Sequence, residues 1–265
     1  MSKPLVSDAL WQRVEPLLPP AKRRRFRHPG RKPLDRRRVL TGILFVLKTG
    51  IPWEDLPQEM GCGCGMSCLN YVKAWQRAGV WNQLHELILA ELQGADRIDW
   101  SRGAVDSSHA RAFGGGENSG KNPTDRGKLG TKHQVLTDAQ GIPLAAQATG
   151  SNINDVQGLL PVVDAVPPVR GKVGRPRRRP EVLFADRGYD SNKHRRKLRE
   201  RHIKPRIAPR FTEHGSGLGI YRWVIERTIA WLHGFRRLRF RTDRNGAVHQ
   251  AFLALAMSIT ALGFL

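Results

Sequence analysis

The sequence predicts a mixed α/β fold, in which a sheet flanked by helices follows an all-helical N-terminal region. Apolar residues recur at helical spacing through the first 95 residues, whereas short apolar runs separated by turns follow from Arg102 onward. The elements of this second part follow the order β-β-β-α-β-α-β-α. In a chain of 265 residues we therefore expect a helix-turn-helix-like domain at residues 1–95 and an α/β domain at residues 96–265.

The N-terminal helices are predicted from residues that typically begin and end helices. A side-chain oxygen can accept the first free backbone N–H groups, and proline or glycine stops the helix at its other end. Four such helices follow one another in the first 95 residues. Their predicted starts are Ser7, Asp35, Ser67 and Trp81, and their predicted ends are Pro19, Gly50, Gly79 and Gly94.

The second part of the chain alternates strands and helices. A hairpin is predicted where two apolar runs flank the turn at residues 138–141. Asp155 is expected to cap the helix after the hairpin, and residues 251–265 are expected to form a core helix. The other predicted elements are a strand before Asp106, strands at 131–137, 143–149, 182–185 and 203–208, and helices at 192–201 and 221–235.

The net charge indicates a polyanionic partner. The chain has 45 Lys+Arg residues against 23 Asp+Glu residues, which gives a formal net charge of +22. Such an excess favours nucleic acid as the partner, although an anionic membrane surface or a solvated face would also tolerate it. We favour a DNA duplex, because several basic segments around one site can bind its phosphates. The segments are residues 22–38, 170–179, 193–210 and 236–244.

Several other classes of protein are disfavoured. The crowding of Cys62, Cys64 and Cys68 fits neither a disulfide framework nor the usual zinc spacings, so we expect reduced thiols and a cytoplasmic location. Residues 251–265 fall short of the ~20 residues that span a bilayer, which argues against a membrane protein. Residues 115–121 resemble a phosphate-binding loop, but Asn122 follows where Ser or Thr is required, so no nucleotide cofactor is expected.

Two acidic residues stand out because each directly follows an apolar strand. If the strands before Asp106 and Asp186 are parallel neighbours, both carboxylates emerge at the same edge of the sheet. A divalent cation would relieve their repulsion, and carboxylate oxygens suit Mg²⁺ or Mn²⁺. Glu226, on a helix face that also carries Arg222 and His233, could complete a two-metal site. Alternatively, both aspartates are turn or cap residues and Glu226 forms a salt bridge with Arg222.

Four segments of the second part resemble bacterial insertion-sequence transposases of the DDE type, close to insertion-sequence family five. Residues 42–57 also resemble the leader domain of that family. The motifs occur in the family's order, and the resemblance extends over nearly the whole chain. The four segments are Asp106–Ser108, Thr124–Lys132, Ala185–Asp190 and Arg222–Thr228.

The resemblance implies an RNase H-like core and a DNA transposase, which cleaves phosphodiester bonds at insertion-sequence ends and joins the 3′-hydroxyl ends to target DNA. It implies that Asp106, Asp186 and Glu226 are the catalytic residues and the ligands of two Mg²⁺ or Mn²⁺ ions. The implied partners are double-stranded DNA, as terminal inverted repeats and as target, and a second copy of the chain, on the bacterial nucleoid. An inactive transposase-derived DNA-binding protein and a sequence-nonspecific RNase H-like nuclease remain alternatives.

The chain departs from the signature that related families show around the glutamate. Gly219 stands at the position of a tyrosine, and His233 stands at the position of a lysine. The basic residues of the motifs and segments are expected to contact DNA. They are Arg23, Arg24, Arg25, Arg36, Arg37, Lys128, Lys132, Arg187, Arg222, His233, Arg236 and Arg237.

Overall fold

A computed structural model of the protein describes residues 4–20, 26–28, 32–210 and 219–265. Helices make up the first part of the chain, and a mixed sheet with flanking helices makes up the rest. The helices are α1 (Asp8–Val14), α2 (Arg36–Thr49), α3 (Gly65–Arg77), α4 (Val80–Gly94), α5 (Asp155–Asp164), α6 (Asn192–Glu200), α7 (Gly219–His233), α8 (Arg236–Arg239) and α9 (Gly246–Leu262). The strands are β1 (Arg102–Ala112), β2 (Gly120–Lys121), β3 (Leu129–Thr137), β4 (Pro143–Gly150), β5 (Val182–Ala185), β6 (Lys204–Ile207) and β7 (Phe240–Arg241).

The sheet is antiparallel in one half and parallel in the other. β1 pairs antiparallel with β3, which pairs antiparallel with β4, so the predicted hairpin is present. On the other edge of β1, β5 and then β6 continue the sheet in parallel. This mixed sheet with flanking helices confirms the predicted fold class, and its strand order agrees with the RNase H-like core that the resemblance implies.

Among the residues that the structure describes, no strand pairs with the middle of β1 along one of its two edges. β3 occupies one edge of β1 from Ala104 to Arg111. On the other edge, β5 pairs with β1 only as far as Ala104, and β7 pairs with it only from Arg111. Residues 105–110 therefore border a notch between β5 and β7. Asp106 lies in the middle of this strand, so the prediction that the strand ends at Asp106 is wrong.

Most predicted helix boundaries agree with the structure, and two predicted caps do not. Ser7 and Asp35 accept N–H groups in the first turns of α1 and α2, as expected. Ser67 lies inside α3, which begins two residues earlier, and Cys64 is its N-cap residue. The cap of α5 is Asn154 rather than Asp155, because the Asn154 side chain accepts the Val156 N–H at 3.3 Å.

The helical part and the sheet share one apolar core. The predicted C-terminal core helix is α9, which is buried along most of its length and packs against α3, α4 and β4. Trp53 stacks on Phe252 of α9, with ring centroids 5.8 Å apart. The domain boundary between residues 95 and 96 stays a prediction. None of the helices that the structure describes is long and apolar enough to cross a membrane.

A buried ion pair ties the N-terminal part to the end of the sheet. Arg237 is only 2% exposed, and its Nε donates to Asp243 Oδ2 at 3.0 Å. Its Nη1 donates to the carbonyl oxygens of Gly50 and Ile51 at 3.2 and 2.8 Å. Arg237 thus satisfies the C-terminal end of α2, and Asp243 neutralises the buried guanidinium.

Asp243→Asn should therefore destabilise the fold strongly, because it leaves Arg237 buried without a counter-charge. We expect a loss of about 3–5 kcal/mol in the free energy of unfolding, measured by urea denaturation. The matched control is Asp96→Asn, which removes an exposed pairing with Lys172 and keeps a residue type that tolerates the left-handed backbone at position 96. The control should change stability by less than about 0.5 kcal/mol. Equal losses in the two variants would contradict this assignment.

Candidate active site

The structure brings Asp106 and Asp186 together at the notch. β1 and β5 are parallel, with Ala104 beside Phe184 in the register. Each aspartate lies two residues further along its strand direction, so the two carboxylates emerge side by side on one face. Burial raises the pKa of Asp106, and the negative charge of Asp186 raises it further. The two residues therefore form a pair of like charges that needs a compensating cation.

Arg222 supplies positive charge to Asp106. Its Nη2 donates to Asp106 Oδ2 at 2.9 Å, and both side chains are 19% exposed. The backbone N–H of Ser107 donates to the other carboxylate oxygen of Asp106 at 2.7 Å. Arg222 thus pairs with Asp106, not with Glu226 as the alternative interpretation of the sequence had it. The spacing of the acidic residues in the sequence did not predict that Arg222 would be the ion-pair partner of Asp106.

Asp186 is held by the turn that follows β5. Its Oδ1 accepts the N–H of Gly188 at 2.9 Å, at the start of a single 3₁₀ turn, Arg187–Tyr189. A Cβ on Gly188 would lie 3.1 Å from that same oxygen, so the absence of a side chain leaves room for the carboxylate. The lone pairs that this hydrogen bond does not use remain available at the notch.

Glu226 lies on the helix face that borders the notch, without contacting either aspartate. It is one helical turn after Arg222, and its side chain is exposed. The same face reaches β1 a second time through His233, whose Nε2 lies 3.1 Å from Ser108 Oγ. The described residues contain no group of three His, Cys, Asp or Glu side chains placed to hold a metal ion. The structure thus assembles two members of the predicted triad and places the third on the facing helix.

A further carboxylate, Asp155, lies next to this pair. Its Oδ1 accepts the Ser107 hydroxyl at 2.6 Å and contacts Lys132 Nζ at 2.8 Å. Burial alone would raise the pKa of Asp155, but the hydrogen bonds from Lys132 and Ser107 hold it below its ordinary value. The prediction that Asp155 caps α5 is wrong. The neighbouring Asn154 takes the cap and leaves the carboxylate of Asp155 for other contacts, and Asn154 is the signal in the sequence that could have indicated this.

The predicted DNA-contacting residues fall into groups with different exposure. Lys128 and Arg236 are exposed, and Arg36, Arg37 and Arg187 are partly exposed. Arg37 already pairs with Asp8, while Arg222 and His233 contact β1 as described above. Arg23, Arg24 and Arg25 lie outside the described residues.

Two of the predicted DNA contacts are not at the surface. Lys132 is 4% exposed and pairs with Asp155, and Arg237 is 2% exposed and pairs with Asp243. Neither charge can reach a phosphate from this position, so both residues are corrected to structural ion pairs. A count of basic residues cannot distinguish a buried partner of an acid from an exposed cation, which is why both were misassigned.

Buried histidines continue from the site into the core. The ring of His233 lies edge-on to His133, with centroids 6.2 Å apart, and His133 Nε2 lies 2.7 Å from His249 Nε2. Burial, together with the nearby charges of Arg241 and Arg237, lowers the pKa of His249 to about 3. Burial also lowers the pKa of His133 well below its ordinary value. Both imidazoles are therefore neutral in the folded protein near pH 7.

This pair should make the fold sensitive to mild acid. Below pH ~6.5 the unfolded chain takes up a proton at His249 while the folded protein does not, so stability falls as the pH drops. Relative to His249→Gln, the wild type should lose up to roughly 1.4 kcal/mol per pH unit more between pH 6.5 and 4. Urea unfolding at several pH values measures this difference. The control His28→Gln, at an exposed position, should follow the wild type, and a pH profile of His249→Gln parallel to that of the wild type would refute the assignment.

Two protein families match the chain, one over each part. Residues 100–261 match the family described as "Transposase DDE domain", which contains the aspartate pair and α7. Residues 6–85 match the family described as "Putative transposase of IS4/5 family". The chain belongs to the family of the transposase DDE domain, as its motifs indicated, and its N-terminal part is similar to the IS4/5 family.

The relatives agree with this family. A protein named "Putative transposase for insertion sequence element IS402", from Burkholderia cepacia, is 63% identical over 137 residues, which cover 52% of this chain and 65% of that relative. A second protein of Burkholderia cepacia, "Insertion element IS402 uncharacterized 16.2 kDa protein", is 58% identical over 123 residues. These residues cover 46% of this chain and 84% of that protein. Among solved structures, the chain is similar to one described as a pre-cleavage Mos1 transpososome. The sequence identity is 12%, the match covers 88% of this chain and 80% of that chain, and the TM-score is 0.29.

Proposed function

We propose that the protein is a DNA transposase that cleaves phosphodiester bonds at the ends of its insertion sequence and joins the freed 3′-hydroxyl ends to target DNA. The observation that carries this proposal is the side-by-side placement of Asp106 and Asp186 at an open edge of β1, in a chain of the DDE transposase family. A notch of this kind leaves the carboxylates accessible to a phosphate from outside the sheet.

The donor set fits a hard divalent cation. Asp106 and Asp186 offer carboxylate oxygens, and Glu226 can add a third carboxylate from the facing helix. The Arg222 guanidinium on Asp106 indicates that the site favours positive charge. We assign Asp106, Asp186 and Glu226 as the ligands and Mg²⁺ or Mn²⁺, as a pair of ions, as the cofactor. The bound metal would activate the attacking oxygen and stabilise the leaving oxygen of the phosphodiester.

The residues of the chain orient the reaction. The Ser107 N–H donates to an oxygen of Asp106, and the Gly188 N–H donates to an oxygen of Asp186. The two carboxylates are therefore oriented before the substrate binds. The attacking oxygen forms its bond to phosphorus as the bond to the leaving oxygen breaks, and the leaving oxygen keeps the electron pair. The exposed side chain of Glu226 can turn toward the aspartates by rotamer changes on α7.

The basic surface is assigned to double-stranded DNA, both terminal inverted repeats and target. Lys128 and Arg236 present exposed charge, and the net charge of +22 favours binding to phosphates along a duplex. We assign end recognition to residues 1–95 and catalysis to residues 96–265. Two ends must be held together for joining, so we propose that the protein acts as a homodimer on DNA in the bacterial nucleoid.

Asp106→Asn should reduce cleavage of duplexes that carry the DNA flanking the coding sequence by on the order of a thousandfold or more, because the metal loses a charged ligand. Binding of the same duplexes should change by less than about twofold. Asp186→Asn and Glu226→Gln should behave in the same way, whereas the control Glu200→Gln, on exposed α6, should retain activity. Undiminished Mg²⁺-dependent cleavage by Asp106→Asn would refute the assignment. Cleavage without preference for the ends would favour the nonspecific nuclease.

Removing charge from the N-terminal basic segment should weaken binding and not chemistry. The triple variant Arg23→Ala, Arg24→Ala, Arg25→Ala should bind DNA with a weaker salt dependence. The negative slope of log affinity against log salt concentration should become shallower by roughly 0.9 for each phosphate contact that is lost. Fluorescence anisotropy with labelled flanking DNA at several salt concentrations measures this slope. The control Arg97→Ala removes an exposed cation outside all four basic segments. If the triple variant and this control give the same slope, Arg23, Arg24 and Arg25 do not contact DNA.

A further inference from the structure

We propose that Asp155 is a positioning residue of the cleavage site, which sets the relative placement of Asp106 and Asp186. This inference rests on the function proposed above and goes beyond the predicted triad. Asp155 lies at the first position of α5, 49 residues after Asp106 in the chain but next to the same stretch of β1.

Oδ1 of Asp155 is contacted by side-chain donors from two strands, β1 and β3. Oδ1 accepts the Ser107 hydroxyl of β1 at 2.6 Å and contacts Lys132 Nζ of β3 at 2.8 Å. Gln134 of β3 donates to the same oxygen through Nε2 at a longer 3.4 Å. One half-buried carboxylate oxygen thus joins β1 to β3 on the α5 side of the sheet.

The contact falls on the part of β1 that has lost one neighbour. Residues 105–110 pair with β3 but border the notch on the other edge. Successive side chains of a strand point to opposite faces, so Asp106 faces Arg222 and α7 while Ser107 faces Asp155 and α5. Asp155 therefore restrains one face of the strand segment whose other face carries Asp106. This hold replaces the restraint that a β5 partner would otherwise give.

The second oxygen of Asp155 lies beside the turn that fixes Asp186. Asp155 Oδ2 lies 3.5 Å from the position that a Cβ on Gly188 would occupy, and Asp186 Oδ1 lies 3.1 Å from the same position. Gly188 is the residue whose N–H holds Asp186. A single carboxylate thus contacts the strand of one metal-ligating aspartate and borders the turn of the other.

Lys132 makes this arrangement rigid. Its side chain is 5% exposed, and its Nζ donates to the Ile153 carbonyl at 2.6 Å as well as pairing with Asp155. The ammonium of this ion pair is buried and the Asp155 carboxylate is 31% exposed, and the contacts from Lys132 and Ser107 hold Asp155 in one orientation. Substitution of a residue that orients metal ligands without binding the metal itself typically lowers metal affinity or activity by about 10–100-fold.

The test separates positioning from simple stability. Asp155→Asn alone leaves Lys132 buried without a partner, so the main variant is the double substitution Asp155→Asn, Lys132→Met, which removes both charges and keeps the length of the side chains. Ser107→Ala is a second variant that keeps the ion pair and removes the hydroxyl that links Asp155 to β1. The matched control is Asp164→Asn, which breaks the Arg201 ion pair at the other end of the same helix.

Three quantities are measured for each variant: the thermal midpoint, Mn²⁺ binding without DNA by calorimetry, and single-turnover cleavage of flanking-DNA duplexes against Mn²⁺ and DNA concentration. We expect the double variant to melt within a few degrees of wild type. Its Mn²⁺ affinity and its maximal rate should each fall about tenfold or more, with the KM for DNA changed less than about twofold. Ser107→Ala should shift both in the same direction by a smaller factor, and Asp164→Asn should match the wild type.

The inference is overturned if the double variant and Ser107→Ala bind Mn²⁺ and cleave as the wild type does. In that outcome a wild type that cleaves and an inert Asp106→Asn would leave the proposed function intact. If the wild type itself neither binds Mn²⁺ nor cleaves, the proposed function fails and this inference fails with it.

Discussion

The arrangement of the site depends on one constraint, the parallel register between β1 and β5. That register places Asp106 beside Asp186 and forces two negative charges into one partly buried edge of the sheet. The fold tolerates this repulsion because Arg222 of α7 pairs with Asp106 and because a backbone N–H donates a hydrogen bond to each carboxylate. A pair that costs free energy to assemble and retains unused oxygen lone pairs is suited to a divalent cation.

The early end of β5 has a second consequence. β5 has four residues and β1 has eleven, so β1 continues past its parallel neighbour and presents an open edge. An open edge gives a substrate access, but it also removes the hydrogen bonds that would hold that stretch of strand in place. The structure restores the restraint through side chains on the two faces, with Arg222 and His233 on one side and Asp155 on the other. Access and rigidity are thus supplied by different groups.

Local chemistry in the sequence predicted much of the fold. Caps at Ser7 and Asp35, the hairpin turn at 138–141 and the apolar strand Val182–Ala185 all depend on neighbouring residues, so a pattern suffices to find them. The aspartate pair was also predicted, but only Asp186 follows the end of its strand; β1 continues past Asp106, and the parallel register of β1 and β5 brings the two residues together. The contacts of Asp155 and Arg222 were not predicted, because each depends on a partner more than forty residues away, and the contacts of Asp155 depend in addition on Asn154 taking the cap of α5.

Burial divides the basic residues in a way that composition conceals. Lys132 and Arg237 compensate acids inside the fold, and Arg241 is fully buried among carbonyl oxygens of the loop that follows β1 and of the segment after β7. Such arginines and lysines hold the fold together whether or not a polyanion is bound. The Lys132–Asp155 and Arg237–Asp243 pairs are neutral as units, so the net charge of +22 is carried by other basic residues. Because the buried cations are fixed by their own acids, binding of a duplex would be governed by the exposed ones, whose repulsion the phosphates relieve.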